Sequence, residues 1–336
     1  MKTTTVTSLV LALATSSAIA AAGPAFSCLS GVDPKDCLTG VAIAALTFEK
    51  SAESRVDGYA ALLSSLARAG VQRDDALEAA TDDAAAPIYS RWALAVSRRT
   101  YVLRFEKDSL GADEPARIEA LAGLLRKRRD GMERLILIFS ACDAREDAPK
   151  AALAKWDGVL DRLCQMDDSD LEAIERDIPG LSGMVAPVVD AFNRDEQALR
   201  RSITTSLDVL SHYQTMLDGK MSVKAREGVQ GLLAVGHLLN AMALTTSGHH
   251  QSSVRAVELS LGHLNKAKSF AKAPEFQFLT TLTSWIYAKA GLRNEAMKVL
   301  RDSLAKTDGM RKGSGGDKAT AIAVAIETLH VLELSR

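Results

Sequence analysis

Apolar residues recur at spacings of three and four through Phe276, Leu279, Leu282, Thr283, Ile286, Tyr287 and Ala290. That is the stripe of an amphipathic helix. Pro274 and Glu275 suit its start, because proline lacks only a donor that would be orphaned there. Gly291 follows the last periodic residue, where a left-handed cap favours glycine. Asn294 and Glu295 restart a helix, and Ala296, Val299, Leu300 and Leu304 carry its apolar face. A connection of about three residues folds the two helices back on each other.

The same periodicity predicts helices along most of the chain. Residues 38–70 read as two helices with a break near Lys50 to Ser54. Further helices follow at 88–107, 113–130, 193–218, 222–247 and 318–334. Met132 to Ala141 is a dense apolar run that predicts a helix buried on most sides. Alternating β-branched strand patterns are almost absent, so the fold class is all-α. Residues 178–188 hold two prolines and two glycines and mark the candidate boundary between lobes 23–178 and 188–336.

Two spacings repeat. Ser54-Arg55 recurs as Ser90-Arg91, 36 residues on. Ala241, Leu244, Gly248, Ser253, Val257 and Ser260 have the same offsets as Ser284, Tyr287, Gly291, Ala296, Leu300 and Ser303, 43 residues later. Small residues at these places mark close helix approach, and large ones fill the groove. The spacing resembles the tetratricopeptide repeat, over 222–306 closely and over 38–105 loosely. The family's early Trp–Leu pair is replaced by Thr280 and Thr283. The resemblance implies a right-handed superhelical array of antiparallel helix hairpins, an α-solenoid that is continuous or split into two lobes. Helix 318–334 would cap its open end.

The ends and the charge narrow the setting. Residues 1–22 carry one charged side chain, Lys2, an apolar run around Leu9–Ala14 and small residues at Ala18–Ala22. This predicts a secretory signal peptide rather than an uncleaved anchor, and hence a bacterial periplasmic or secreted protein. No later stretch is expected to be long and apolar enough to span a membrane. A formal net charge of -1 gives no electrostatic argument for nucleic acid or anionic membrane.

Four cysteines in an exported chain favour two disulfides. Cys28 and Cys37 bracket a turn-rich loop and close readily. In a straight hairpin Cys142 and Cys164 would lie roughly 15 Å apart along the axis, beyond the reach of a disulfide. Either the helix after Pro149 breaks, near Gly158, or these two remain buried thiols.

No motif points to a cofactor, a metal or a catalytic centre. Asp167-Asp168-Ser169-Asp170 lacks the glycine and distal glutamate of a calcium loop, and Asp168 or Ser169 reads as a helix cap. His249-His250, even with His237 or His263, has no diagnostic ligand spacing. Arg98, Arg99, Arg104 and Lys107, and the run Arg126–Arg129, read as solvated helix faces. The loop 307–317 is no phosphate-binding loop and reads as a linker, although a helix start at Asp317 offers an anion site. The function expected from the resemblance is a non-catalytic interaction or assembly scaffold for a protein or peptide partner. Two alternatives stand beside it, a cell-wall-active enzyme and a carrier of a small ligand or lipid.

Overall fold

The structure is a computed structural model and describes residues 23–105, 114–127, 130–147, 158–267, 277–311 and 313–335. Among these residues the fold is all-α, with sixteen helices and no strand. The candidate signal peptide, Lys107, Arg128, Arg129 and the helix start at Pro274–Phe276 lie outside the described residues.

The first half of the chain gives α1 (Pro24–Cys28), α2 (Pro34–Thr47), α3 (Ala52–Ala69), α4 (Asp74–Ala79), α5 (Ile88–Arg104), α6 (Glu114–Arg126), α7 (Gly131–Asp147), α8 (Val159–Leu163) and α9 (Asp168–Asp177). The second half gives α10 (Leu181–Phe192), α11 (Glu196–Met216), α12 (Val223–Thr246), α13 (His250–Leu264), α14 (Gln277–Lys289), α15 (Arg293–Asp308) and α16 (Gly315–Leu334).

Seven of these form a closed circuit. Helices α3, α5, α7, α10, α12, α14 and α16 pack side by side in that order, and α16 then packs against α3. The intervening helices α2, α6, α9, α11, α13 and α15 each pack against members of this inner set. A single hydrophobic core at the seam joins Leu46, Leu62, Leu63 and Leu66 to Leu300, Leu304, Ile322 and Ile326.

The seam accounts for two departures from expectation. Helix 318–334 was expected as an outer cap, with one apolar face. Instead α16 is buried on several sides, through Ala321, Ile322, Ala323, Ala325, Ile326 and Thr328, and packs against α2, α3, α14 and α15. Residues 307–317 are only in part a linker, since α15 runs to Asp308 and α16 starts at Gly315. The α16 N-terminus does hold an anion, from within the chain. The Glu49 carboxylate accepts from the Gly315 N–H at 2.6 Å, and the Ser54 hydroxyl accepts from Gly316 at 3.2 Å. Asp308 likewise accepts from the N–H groups of Ala25 and Phe26 at 3.0 and 2.8 Å, fixing α1 to α15.

The candidate boundary 178–188 differs too. Most of it is α10, with Pro187 inside the helix and Met184, Val185, Val188 and Val189 buried. Its apolar content outweighs its turn residues, and it joins α7 to α12 in the ring. Helix α12 corrects the expectation about membrane spans. By length and composition it could cross a membrane, with a mean hydropathy of 1.3 in an 18-residue window. In the ring 61% of that window is buried, and Gln230, His237 and Asn240 are carried inside.

The repeated spacings fall on equivalent turns. Gly248 and Gly291 are left-handed, at φ 79° and 76°. In each turn the residue after the glycine donates back across five positions, His249 to Leu244 at 2.7 Å and Leu292 to Tyr287 at 2.9 Å. These are the paired C-terminal bonds of a Schellman cap. Ala241, Ser253, Val257, Ser260, Ser284, Tyr287, Ala296, Leu300 and Ser303 are all buried, and Leu244 is half-buried. The buried hydroxyls are bonded, Ser260 to the Ala234 carbonyl at 2.7 Å and Ser284 to the Thr281 carbonyl at 2.6 Å.

Both cysteine pairs form disulfides, Cys28–Cys37 and Cys142–Cys164, with Cα separations of 5.5 and 4.7 Å. In the second pair the described chain resumes at Gly158. Gly158 is left-handed at φ 70° and starts the short α8, so Cys164 returns alongside α7.

Candidate functional site

Each inner helix contributes to one central cavity of about 530 Å3, and the residues come mostly from its C-terminal half: Arg68 of α3, Arg104 of α5, Asp143 of α7, Phe192 of α10, Thr246 of α12, Lys289 of α14 and Leu334 of α16. Seven helix C-termini therefore converge around one mouth. Their partial negative charge favours cations in the last turn, where Arg68, Arg104, Arg145 and Lys289 are found.

The wall is two-sided. Phe192, Met242, Leu282, Trp285 and Val331 make an apolar surface from α10, α12, α14 and α16. Arg68, Arg104, Asp143 and Glu146 make a charged surface from α3, α5 and α7. Lys289 sits 5.6 Å from the Trp285 ring centroid, a cation–π pair on the α14 side of the cavity.

The floor is a clasp. Arg68 Nη1 donates to both carboxylate oxygens of Glu327, at 3.0 and 3.1 Å, and its Nη2 donates to Asp143. The Ser65 hydroxyl also donates to Glu327. Glu327 is only 9% exposed, so its charge depends on these partners. The clasp ties α3, α7 and α16 together across the lumen.

Behind the clasp lies a second chamber of about 290 Å3, lined by Asp57, Ser64, Ser97, Ser140 and Thr320. Arg68, Asp143, Val324 and Glu327 line both spaces. Ser64 and Ser97 share a hydrogen bond of 2.9 Å. Burial, and then the charges of Glu53 and Asp317, push the Asp57 carboxyl up to about 6, against an opposing effect of Ser90.

No protein-family model, curated protein or solved structure matches this chain.

The residues singled out in the sequence mostly lie elsewhere. Asp167 and Asp170 form a reciprocal capping box on α9, so the cap is Asp167 rather than Asp168 or Ser169. His249 contacts Glu196 at 3.3 Å on the surface. His237 and His263 stack inside, 5.5 Å between centroids, and His263 Nδ1 meets Gln230 Oε1 at 2.6 Å. Burial, with a smaller effect of His263, pushes the His237 imidazole down to about 4. Among the described residues no three His, Cys, Asp or Glu side chains could hold a metal ion. Arg55 and Arg91, from the 36-residue repeat, reach adjacent acids. Arg55 pairs with Asp83 at 2.5 Å and Arg91 with Asp82 at 2.9 Å.

Of the arginine cluster, Arg104 reaches the mouth, whereas Arg98 donates to the Ala80 carbonyl at 2.7 Å. Arg68, Glu327 and Trp285 had no local signal, because the groups around Arg68 and Glu327 come from 75 and 259 residues away.

Proposed function

We propose that the chain is an exported, non-catalytic binding protein of the bacterial periplasm or extracellular space, which carries a small apolar ligand in its ring lumen. In this reading the fold is a right-handed tetratricopeptide-like superhelix whose last helix meets its first hairpin. An open array would display its concave face to a protein partner. Closure turns that face inward, so what it offers is a half-open, two-sided cavity.

The observation that carries the proposal is the convergence of all seven inner helices on one cavity with an apolar wall. Pockets of this size, mostly apolar with a few placed polar groups, suit small ligands. The two disulfides fit an oxidising, non-cytoplasmic setting. The lumen carboxylates Glu327 and Asp143 are both engaged by Arg68, and Ser64 bonds Ser97 rather than a base, an arrangement suited to holding more than to proton transfer.

Native mass spectrometry of residues 23–336 purified from the producing cell tests this. A bound small molecule is expected, and replacing Trp285 and Phe192 by alanine should release it. A protein that carries nothing, and gains no thermal stability from a panel of amphiphiles, would exclude the carrier reading.

A second reading, an assembly scaffold for a protein or peptide partner, is favoured by exposed apolar side chains on the outer layer, Leu207 and Met216 of α11 and Leu259 of α13. Its mark would be a partner whose binding is lost on Leu207→Asp and Leu259→Asp and is indifferent to lumen substitutions.

A further inference from the structure

We infer that the lumen selects a single-chain amphiphile with a carboxylate head, a fatty-acid-like molecule seated with its head at the mouth and its chain against the Trp285 wall. This rests on the carrier reading above and adds the chemistry of the ligand.

Formal charges on the lining cancel, three cations against three carboxylates, but their pairing is uneven. Every acid there is already paired within the protein. Glu146 pairs with Arg194 at 3.0 Å, and Arg68 serves both Asp143 and Glu327. Two lining cations are not so matched. Arg104 and Lys289 have no carboxylate partner among the described residues, and both are exposed to the cavity mouth. His330 lines the same cavity and lies within the fields of Lys35, Lys289 and Arg104, opposed by Glu333. Two cations without carboxylate partners, Arg104 and Lys289, thus stand beside an apolar surface.

A ligand that answers both features has one anionic end and one apolar end. A guanidinium presents parallel donors that fit a planar carboxylate. A dianionic head is less suited, because the carboxylates of Glu146, Glu327 and Asp143 line the same space. A cationic head would meet Arg104 and Lys289 with like charge.

The test titrates the purified protein, residues 23–336, with dodecanoate, dodecanol and dodecyltrimethylammonium below their micelle concentrations, using calorimetry. Brominated dodecanoate gives a second readout, since it should quench Trp285 and lose that quenching in Trp285→Phe. Dodecanoate is expected to bind about tenfold more tightly than either other probe, equivalent to about 1.4 kcal/mol. Arg104→Gln with Lys289→Gln should erase that preference while leaving dodecanol binding unchanged. Both residues are exposed, and an unchanged circular dichroism spectrum and melting temperature would show that the variant folds. Equal binding of dodecanoate and dodecanol, or a preference surviving in the double variant, overturns the head-group inference and leaves the carrier reading standing. Failure of all three probes to bind or to quench Trp285 overturns both.

Discussion

Glu49 and Gly315 are 266 residues apart, yet the carboxylate of the first accepts a 2.6 Å hydrogen bond from the backbone N–H of the second. Glu49 is buried, and its other oxygen accepts from the Ser51 N–H at 2.9 Å. One side chain therefore orders the start of α3 and caps α16. Replacing a helix-capping side chain costs about 1–2 kcal/mol. Glu49→Ala should lower the urea midpoint accordingly, and hydrogen exchange should locate the loss of protection in the first turn of α16.

The Arg68 clasp should show the asymmetry of a buried ion pair. Arg68→Met leaves Glu327 buried without its main partner, at a cost of about 2–4 kcal/mol, reduced from the fully buried case because the arginine is partly exposed. Glu327→Gln retains an acceptor for Ser65 and should cost less. The paired change Arg68→Met with Glu327→Leu should recover much of the loss. Equilibrium unfolding of the four proteins measures this directly, and strict additivity of the two single changes would argue against the clasp.

Two lumen and core groups should bend the pH dependence in opposite directions. His237 is depressed to about 4. The unfolded chain then binds this proton more readily, so the stabilisation present above about 6.5 is lost as pH falls toward 4, up to ~3 kcal/mol. Asp57 is raised to about 6. Here the folded chain binds the proton more readily, so stability is greatest below about 4 and falls by about 1–2 kcal/mol as pH rises through 6. Urea unfolding between pH 4 and 7 should show His237→Gln flattening the acid-side loss, and Asp57→Asn gaining stability at pH 7.

The Cys142–Cys164 bridge closes the longer of the two disulfide loops, with a sequence separation of 22 against 9 for Cys28–Cys37. On chain-entropy grounds its removal should cost about 3 kcal/mol and that of the shorter loop somewhat less. Paired Cys→Ala variants compared by urea unfolding under oxidising conditions test the order.

The local elements were readable from sequence because they rest on near neighbours. Gly248 and Gly291 announce their turns, and Ser284, Tyr287, Ala296 and Leu300 announce the helix contact around the second. The closure was not readable in that way. Its signal was the all-round apolar run of α16, Ala321-Ile322-Ala323-Val324-Ala325-Ile326, which suits a buried helix better than a cap. Periodicity shows that such a helix is covered but not by what. The mouth was less legible still, since Arg68, Arg104, Trp285 and Glu327 become neighbours only when distant hairpins meet.

Closure also sets an order on the birth of the molecule. The surface that completes the core around Leu62, Leu63 and Leu66 lies on α16, at the far end of the described chain from α3, and is made long after it. Until Ile322 and Ile326 arrive, the opening hairpin has no permanent cover for its apolar side. Removal of α16 would leave an adhesive fragment in place of a smaller copy of the fold, and a cell making this chain must keep its early segments apart until that helix has been made.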